Sequence, residues 1–350
     1  PDLGTGPSRY VILGGTGRIG TAVAIHLLQR DPQCEVVLVS RRVSNNEKAI
    51  AEVLDESQAD PSRVSTAYVP NVWEPSTDLQ HLIDQADCLI HTAGPYLEQK
   101  PIPLDMALKS SRCRGYVDVA DPLPYLEESL LKFHDAQQAN LTALVAAGAF
   151  PGLSNVLAQE AAQTSNKRVQ DIRFQYFTAG LGGSGPVNLY ITNLGFGEPM
   201  VQFDQGALRF FTALSGRLLG KVDFFLSQLK DDEGNRRAKE RVGTQTVFAW
   251  PFPEAATVAT NLKARGNSFA AMGTAPDLWN TMLGILVTLI PRNWWKNTAF
   301  SKFMADFSQP MVWATDKLLE QTGVGETHAM RVDVTFVSSP REKPTGVSIV

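Results

Sequence analysis

The amino-acid sequence predicts an α/β fold: a doubly wound parallel sheet over residues 1–150, joined to a mixed α/β second domain over 151–350. Three features carry this expectation. A short apolar run, Tyr10 to Leu13, leads through a glycine-rich turn into a segment with apolar residues at Ile19, Val23, Leu27 and Leu28, so a strand is followed by an amphipathic helix. Short apolar runs then alternate with helical patterns as far as Ala147, the rhythm of a parallel sheet covered on both faces. Beyond Asn155 that rhythm changes, and the strand-like runs lie closer together.

In the first unit Gly15, Gly17 and Gly20 stand in G-x-G-x-x-G spacing. One glycine allows the tight turn, one lets backbone approach a pyrophosphate, and one lets the helix pack closely on the sheet. Phosphates would sit at the helix N-terminus, where N–H groups and the helix dipole favour negative charge. Gly15, Thr16, Gly17, Arg18 and Ile19 are therefore the expected dinucleotide-binding residues. The second strand, Val36 to Val39, ends in Ser40-Arg41-Arg42, where a carboxylate would mark NAD. Two arginines suit a ribose 2′-phosphate, which a guanidinium binds through parallel hydrogen bonds, so the expected cofactor is NADP(H). The plainer alternative is an ordinary strand-to-helix turn beside surface arginines.

Four more strands are expected, at Val64 to Val69, Cys88 to His91, Tyr116 to Val119 and Ala143 to Ala147. Helices fall between them at Asn46 to Gln58, Ser76 to Gln85, Ile102 to Ser110 and Tyr125 to Asn140. Ligands of such sheets bind at the carboxyl ends of the strands. Three loops lie there besides the glycine turn: His91 to Tyr96, Asp118 to Pro122 and Gly148 to Asn155. Each has a plain turn as its alternative reading, and His91 is a further proton-donor candidate or, more plainly, a histidine hydrogen-bonded within the sheet edge.

In the second domain a helix is expected from Val156 to Thr164, a strand from Ile172 to Phe177 and a helix over Val187 to Leu194. The glycine cluster from Ala179 to Pro186 lacks the Lys-Ser/Thr ending of a P-loop and reads as an active-site loop or a packing turn. Lys221 to Leu226, Thr244 to Trp250 and Ala256 to Leu262 look like strands of an antiparallel sheet, with a solvated charged loop over Lys230 to Arg241. Pro276 to Pro291 encloses a very apolar helix, followed by Arg292, Trp294, Trp295 and Lys296. Residues 276–296 thus suit either a buried domain or dimer interface or contact with a membrane surface. A helix over Ala299 to Gln321 is expected to be interrupted at Pro310, and a strand to run from Met330 to Val337.

Composition narrows the class. With a formal charge of −4 and mixed signs, no basic face marks a nucleic-acid partner. Cys34, Cys88 and Cys113 lack metal-ligand spacing and read as buried thiols of a reducing compartment; no metal site is expected. The initial proline implies a processed N-terminus or a start inside a longer precursor, and the β-branched residues up to Val350 suggest a chain that continues, its second domain incomplete.

The set Gly-Gly-Thr-Gly-Arg-Ile-Gly at 14–20, His-Thr-Ala-Gly-Pro-Tyr at 91–96, Tyr-Val-Asp-Val-Ala-Asp at 116–121 and Gly-Ala-Phe-Pro-Gly-Leu-Ser-Asn at 148–155 resembles the saccharopine dehydrogenase-like oxidoreductases. Tyr-Phe-Thr-Ala-Gly at 176–180 and Met-Gly-Thr-Ala-Pro at 272–276 are most similar to a plastid and cyanobacterial branch. The resemblance implies a Rossmann domain, a second domain grown from its C-terminal half, hydride transfer between NAD(P) and a carbon–nitrogen bond, and a plastid (chloroplast) or cyanobacterial cytoplasmic setting. It places Thr92, Ala93, Gly94 and Tyr96 beside the nicotinamide and Asp118 to Asp121 in the next wall. Saccharopine carries several carboxylates, yet the matching loops hold Tyr96, Glu98, Phe150 and Asn155, with Lys100 as the only nearby cation. A small, weakly charged substrate with a C=N or C=O group fits better.

Tyr96, Asp118 and Asp121 are the expected catalytic proton donors, with Tyr176 behind them. Their plainer reading is that the aspartates cap the next helix or bind loop amides, and that the tyrosines are wall residues. The competing function is a non-catalytic nucleotide-binding subunit of a larger, membrane-associated assembly; a lipid-surface protein is a third, and a homodimer is the expected simple oligomer.

Overall fold

A computed structural model describes residues 7–180, 186–211, 218–225, 242–321, 327–337 and 345–350. The chain divides into two compact units, Pro1–Gly152 and Leu153–Val350. Three stretches read from the sequence, the loop over Lys230 to Arg241, the heart of the glycine cluster at 181–185 and the strand end at Leu226, lie outside the described residues.

The first unit is a parallel sheet of β1 (Arg9–Leu13), β2 (Glu35–Ser40), β3 (Val64–Tyr68), β4 (Cys88–His91), β5 (Gly115–Asp118) and β6 (Thr142–Leu144), in the order β3-β2-β1-β4-β5-β6. That order is the doubly wound Rossmann arrangement. Strand alternation divides its core in two. Val11, Leu13, Val37, Val39 and Leu89 face one side, with residues of α3 (Thr77–Ile83) and α4 (Ile102–Lys109). Ile12, Val36, Leu38 and Ile90 face the other, with residues of α1 (Arg18–Arg30) and α2 (Asn46–Ser57). Each such fully buried side chain contributes about 1.5–3 kcal/mol. The single helix expected over Tyr125 to Asn140 is two, α5 (Leu123–Leu130) and α6 (Phe133–Ala139), because Lys132 leaves helical geometry at φ −84°, ψ 10°.

The second unit is built on β7 (Val169–Ala179), which follows α7 (Leu153–Gln163). After α8 (Pro186–Gly195) come β8 (Met200–Asp204) and β9 (Ala207–Phe211), a hairpin absent from the sequence reading. Its turn, Gln205-Gly206, has positive φ at both residues, the geometry that matches strand twist in a two-residue hairpin. The sheet continues with β10 (Leu218–Asp223), β11 (Thr244–Ala249), β12 (Ser268–Ala275), β13 (His328–Phe336) and β14 (Thr345–Ile349), in the order β10-β11-β12-β7-β13-β14 with β8 also paired to β12. It is mixed where an antiparallel sheet was expected, since β12 runs parallel to β7.

Two further expectations are corrected. Ala256 to Leu262 is not a strand; Glu254–Asn261 forms helix α9. Thr257, Val258 and Thr260 suggested β structure, but Pro253 starts the helix, three alanines favour it, and Glu254, Ala255, Val258 and Ala259 bury one helical face. Pro310 does not interrupt its helix. After α10 (Asp277–Leu289) and the short turn Arg292–Trp295, α11 runs unbroken over Thr298–Gln321. Asp306 and Pro310 are both exposed, so water can satisfy the carbonyl that the missing N–H leaves free. No described helix is long and apolar enough to cross a membrane.

The opening turn of the first unit is tightly packed: a Cβ on Gly20 would lie 2.3 Å from the Gly14 carbonyl oxygen, whereas one on Gly17 would lie 3.2 Å from the same atom. Gly20→Ala is therefore expected to destabilise by about 1–3 kcal/mol or more, and Gly17→Ala by clearly less; chemical denaturation of the two variants measures the difference.

Candidate functional site

Strand β1 has β2 on one side and β4 on the other, so the order reverses there, and sheets of this kind bind ligands outside the carboxyl end of such a strand. Three backbone segments meet at that end. The Gly14 amide donates to the Val39 carbonyl at 3.1 Å, and the Gly15 amide to the Ile12 carbonyl at 3.1 Å, folding the turn back on the sheet. Thr92, just after β4, donates both its amide and its hydroxyl to the Leu13 carbonyl, each at 2.8 Å. Gly14, at φ +75°, lies so close to the β4 loop that a Cβ there would stand 2.8 Å from the Ala93 Cα. Sequence reading did not single out Gly14, because its partner lies far along the chain.

Gly15 also backs on the sheet: its Cβ would fall 2.7 Å from the Leu38 Cα. Thr16 is half-buried, and Gly17, Arg18 and Ile19 are exposed at the start of α1. Gly17 takes the cap position without a side chain to occupy it, and the Thr21 hydroxyl turns inward to the Gly17 and Arg18 carbonyls. The result is a helix N-terminus without a side-chain cap, suited to an anion.

At the end of β2 the three expected cofactor residues separate into two roles. Ser40 is buried, and its hydroxyl faces the Asn46 Oδ1 at 2.6 Å and the Arg42 carbonyl at 3.1 Å. It has one proton for both acceptors, so in this arrangement it shapes the loop and its donor is spent within the protein. Asn46, buried at the start of α2, is a site residue that sequence reading missed. Arg41 and Arg42 are exposed, and among the described residues neither guanidinium has a hydrogen-bond or ion-pair partner.

The β4 loop lies next to the glycine turn. Ala93 is half-buried against Gly14, and Gly94 is exposed with open space around its Cα: a Cβ there would meet nothing closer than the Tyr96 ring at 3.9 Å. Tyr96 itself turns inward. Its hydroxyl donates to the His91 carbonyl at 2.6 Å, and its ring makes edge contacts with Trp73 and Tyr125 at 5.5 and 5.2 Å between centroids. Burial, with the Asp118 carboxylate second, pushes the phenol well above its ordinary value. That placement favours a wall residue.

Asp118 is fully buried. Its Oδ1 accepts from the amides of Ala146 at 2.8 Å and Ala120 at 3.2 Å, tying the loops after β5 and β6 together. Oδ2 has no hydrogen-bond partner of ordinary length, although the Tyr116 hydroxyl lies near enough to favour the carboxylate. Burial raises the carboxyl, and the two amides partly counter it. Asp118 thus binds loop amides, and Asp121 is the exposed carboxyl of the pair, raised by the crowding of protein around it despite its open face. Tyr176 belongs to the second unit, where it is buried and donates to a Glu254 carboxylate oxygen.

His91 departs from expectation most. It is fully buried, and neither ring nitrogen has a hydrogen-bond partner. The ring is held by edge contacts instead, 4.8 Å from Trp73 and 5.0 Å from Tyr96. Trp73, which sequence reading passed over, is the hub of this cluster.

No protein-family model matches the sequence, and no curated protein matches it. Similar solved structures include a scyllo-inositol dehydrogenase from Lactobacillus casei with bound NAD(H) and scyllo-inositol, at 8% identity and TM-score 0.44, over 98% of this chain and 76% of that one. A probable dehydrogenase from Thermotoga maritima matches at 10% identity and TM-score 0.42, over 98% and 76%. A quinate dehydrogenase from Corynebacterium glutamicum in complex with NAD matches at 15% identity and TM-score 0.28, over 39% of this chain, which spans 43% of that one's length. At such identities and scores these likenesses carry no functional assignment, and the fold stands on the strand order itself.

Burial lowers the His91 imidazole to about 3, against about 6.5 in an unfolded chain. Between those values the unfolded chain takes up a proton that the folded one does not, so stability falls as pH drops, by up to about 1.4 kcal/mol per pH unit. The raised Asp118 works in the opposite sense, but only nearer the carboxylate range. Thermal midpoints at about pH 7.5 and about pH 5 should therefore fall more for the wild type than for His91→Phe; equal losses would refute the assignment.

Proposed function

We propose that the chain is an NADP(H)-dependent oxidoreductase. The observation that carries this is the pair of unpartnered cations, Arg41 and Arg42, at the carboxyl end of β2, in the same unit as the glycine turn and the helix N-terminus without a side-chain cap. A pyrophosphate suits the helix start, and a ribose 2′-phosphate suits the arginines. The glycine geometry supports the fit: Gly17 is exposed and keeps the approach open, and Gly14 and Gly15 seat the turn against backbone.

When bound, the nicotinamide supplies hydride. The chain's own residues do the rest. Ala93 and Gly94 form the wall nearest the turn, and Ser40 and Asn46 hold the arginine loop. Asp121 is the proton-carrying group that reaches solvent, while Tyr96 and Asp118 act as positioning residues that fix the loops around it. The saccharopine dehydrogenase-like type, a small, weakly charged C=N or C=O substrate, and a plastid or cyanobacterial setting rest on the motif resemblance alone.

One observation favours the second reading, a subunit of a larger or membrane-associated assembly. Helix α10 buries only Asn280, and leaves Leu278, Ile285 and Leu289 exposed. On that reading the cofactor site would be retained without turnover.

Titration of NADPH and NADH by cofactor fluorescence tests the cofactor assignment. Charge-assisted hydrogen bonds of about 1.5–3 kcal/mol each predict that Arg41→Ala and Arg42→Ala weaken NADPH binding about 10- to 100-fold and leave NADH nearly unchanged. An equal effect on both cofactors, or none, would overturn it.

A further inference from the structure

The second unit contains an apolar chamber of about 250 Å³, bounded by the sheet at β11 and β12 and by helices α8, α10 and α11. An apolar cavity of about 150 Å³ is enough to hold a benzene ring, so this one takes a larger group. Four of the protein's seven methionines, Met272, Met282, Met304 and Met311, line it. Thioether side chains adapt their shape to an apolar guest.

Several polar groups in the wall are spent within the protein, beside Thr178, Asn188, Thr192 and Asp316, which also line it. The Asn280 amide donates to the Thr274 carbonyl and to Asp277, and its oxygen accepts from the Thr274 amide. Asn193 donates to the Ser301 carbonyl, and the Trp279 indole to the Thr315 hydroxyl. A sugar or nucleotide would find few orienting partners here. At the mouth Phe307 and Met311 both line the chamber and reach solvent, so the apolar surface continues outward along α11.

Gly284 supplies an independent observation. It stands inside α10, where glycine is a poor helix former, yet its φ is not positive and a Cβ would meet nothing closer than the Phe248 ring at 3.9 Å. Neither backbone conformation nor close packing requires glycine at this position. What the missing side chain does is leave the chamber open, since Gly284 is part of its lining.

From these features we propose that the chamber binds an aliphatic hydrocarbon chain, fatty-acyl or isoprenoid, entering past Phe307 and Met311. The site lies within the second unit and does not depend on the cofactor assignment.

The test is a titration of the full chain with N-phenyl-1-naphthylamine, followed by displacement with dodecanoate or with geranylgeraniol to tell the two chain types apart. Saturable one-to-one binding, displaced by either chain, is expected. Gly284→Leu should weaken binding at least tenfold while its thermal midpoint stays equal or rises, and Leu289→Ser, on the outer face of α10, should bind like wild type. Met304→Trp, which fills the chamber from the opposite helix, is read in the same way should Gly284→Leu fail to fold. Absence of saturable binding would overturn the proposal. So would binding that survives the filling variants but is lost in Leu289→Ser, which would mark adsorption to the exposed helix face.

Discussion

The first unit depends on the close approach of three backbone segments at the carboxyl end of β1. The Leu13 carbonyl receives both donors of Thr92, Gly14 rests on Ala93, and Gly20 rests on Gly14. Side chains beyond hydrogen at these glycines would force the segments apart. The approach brings the first turn, the start of α1 and the β4 loop to one edge of the sheet. The inward-facing cluster of Trp73, His91, Tyr96 and Tyr125, with Asp118 pinning the later loops, stiffens the same edge from below. Packing and backbone hydrogen bonds thus do most of the positioning, and few of the polar side chains near the edge are left to act on a ligand.

The second unit solves a different problem. Its central strand β7 is mostly buried, with Arg173 exposed, and is paired with β12 in parallel and β13 in antiparallel fashion. Its helices α10 and α11 leave large apolar residues such as Leu289, 74% exposed, and Phe307, 62% exposed, at the surface.

Much of the first unit was legible in the sequence because its signals are local: a strand of apolar residues, a glycine turn, a helix with period 3.6. What could not be read was long-range. Gly14 is required by Ala93, Ser40 is turned inward by Asn46, and His91 packs against the Trp73 and Tyr96 rings with both nitrogens lacking the hydrogen bonds expected of a histidine. The aspartates illustrate the same limit, since Asp118 and Asp121 look alike in sequence and only the fold shows one to be inside and the other out. In the second unit local preference misled at Thr257 to Thr260, where burial of a helical face outweighed β-branched side chains.

The arrangement of Arg41 and Arg42 has an electrostatic consequence that reaches beyond contact distance. The chain carries a formal charge of −4, yet these two unpaired cations stand together on a loop that Ser40 and Asn46 hold in place. The positive field of such a pair is screened over about 8 Å at physiological ionic strength, so an anion approaching this edge of the sheet would feel it only at short range. Any anion binding at this edge would therefore weaken as salt rises, quite apart from whatever chemistry followed.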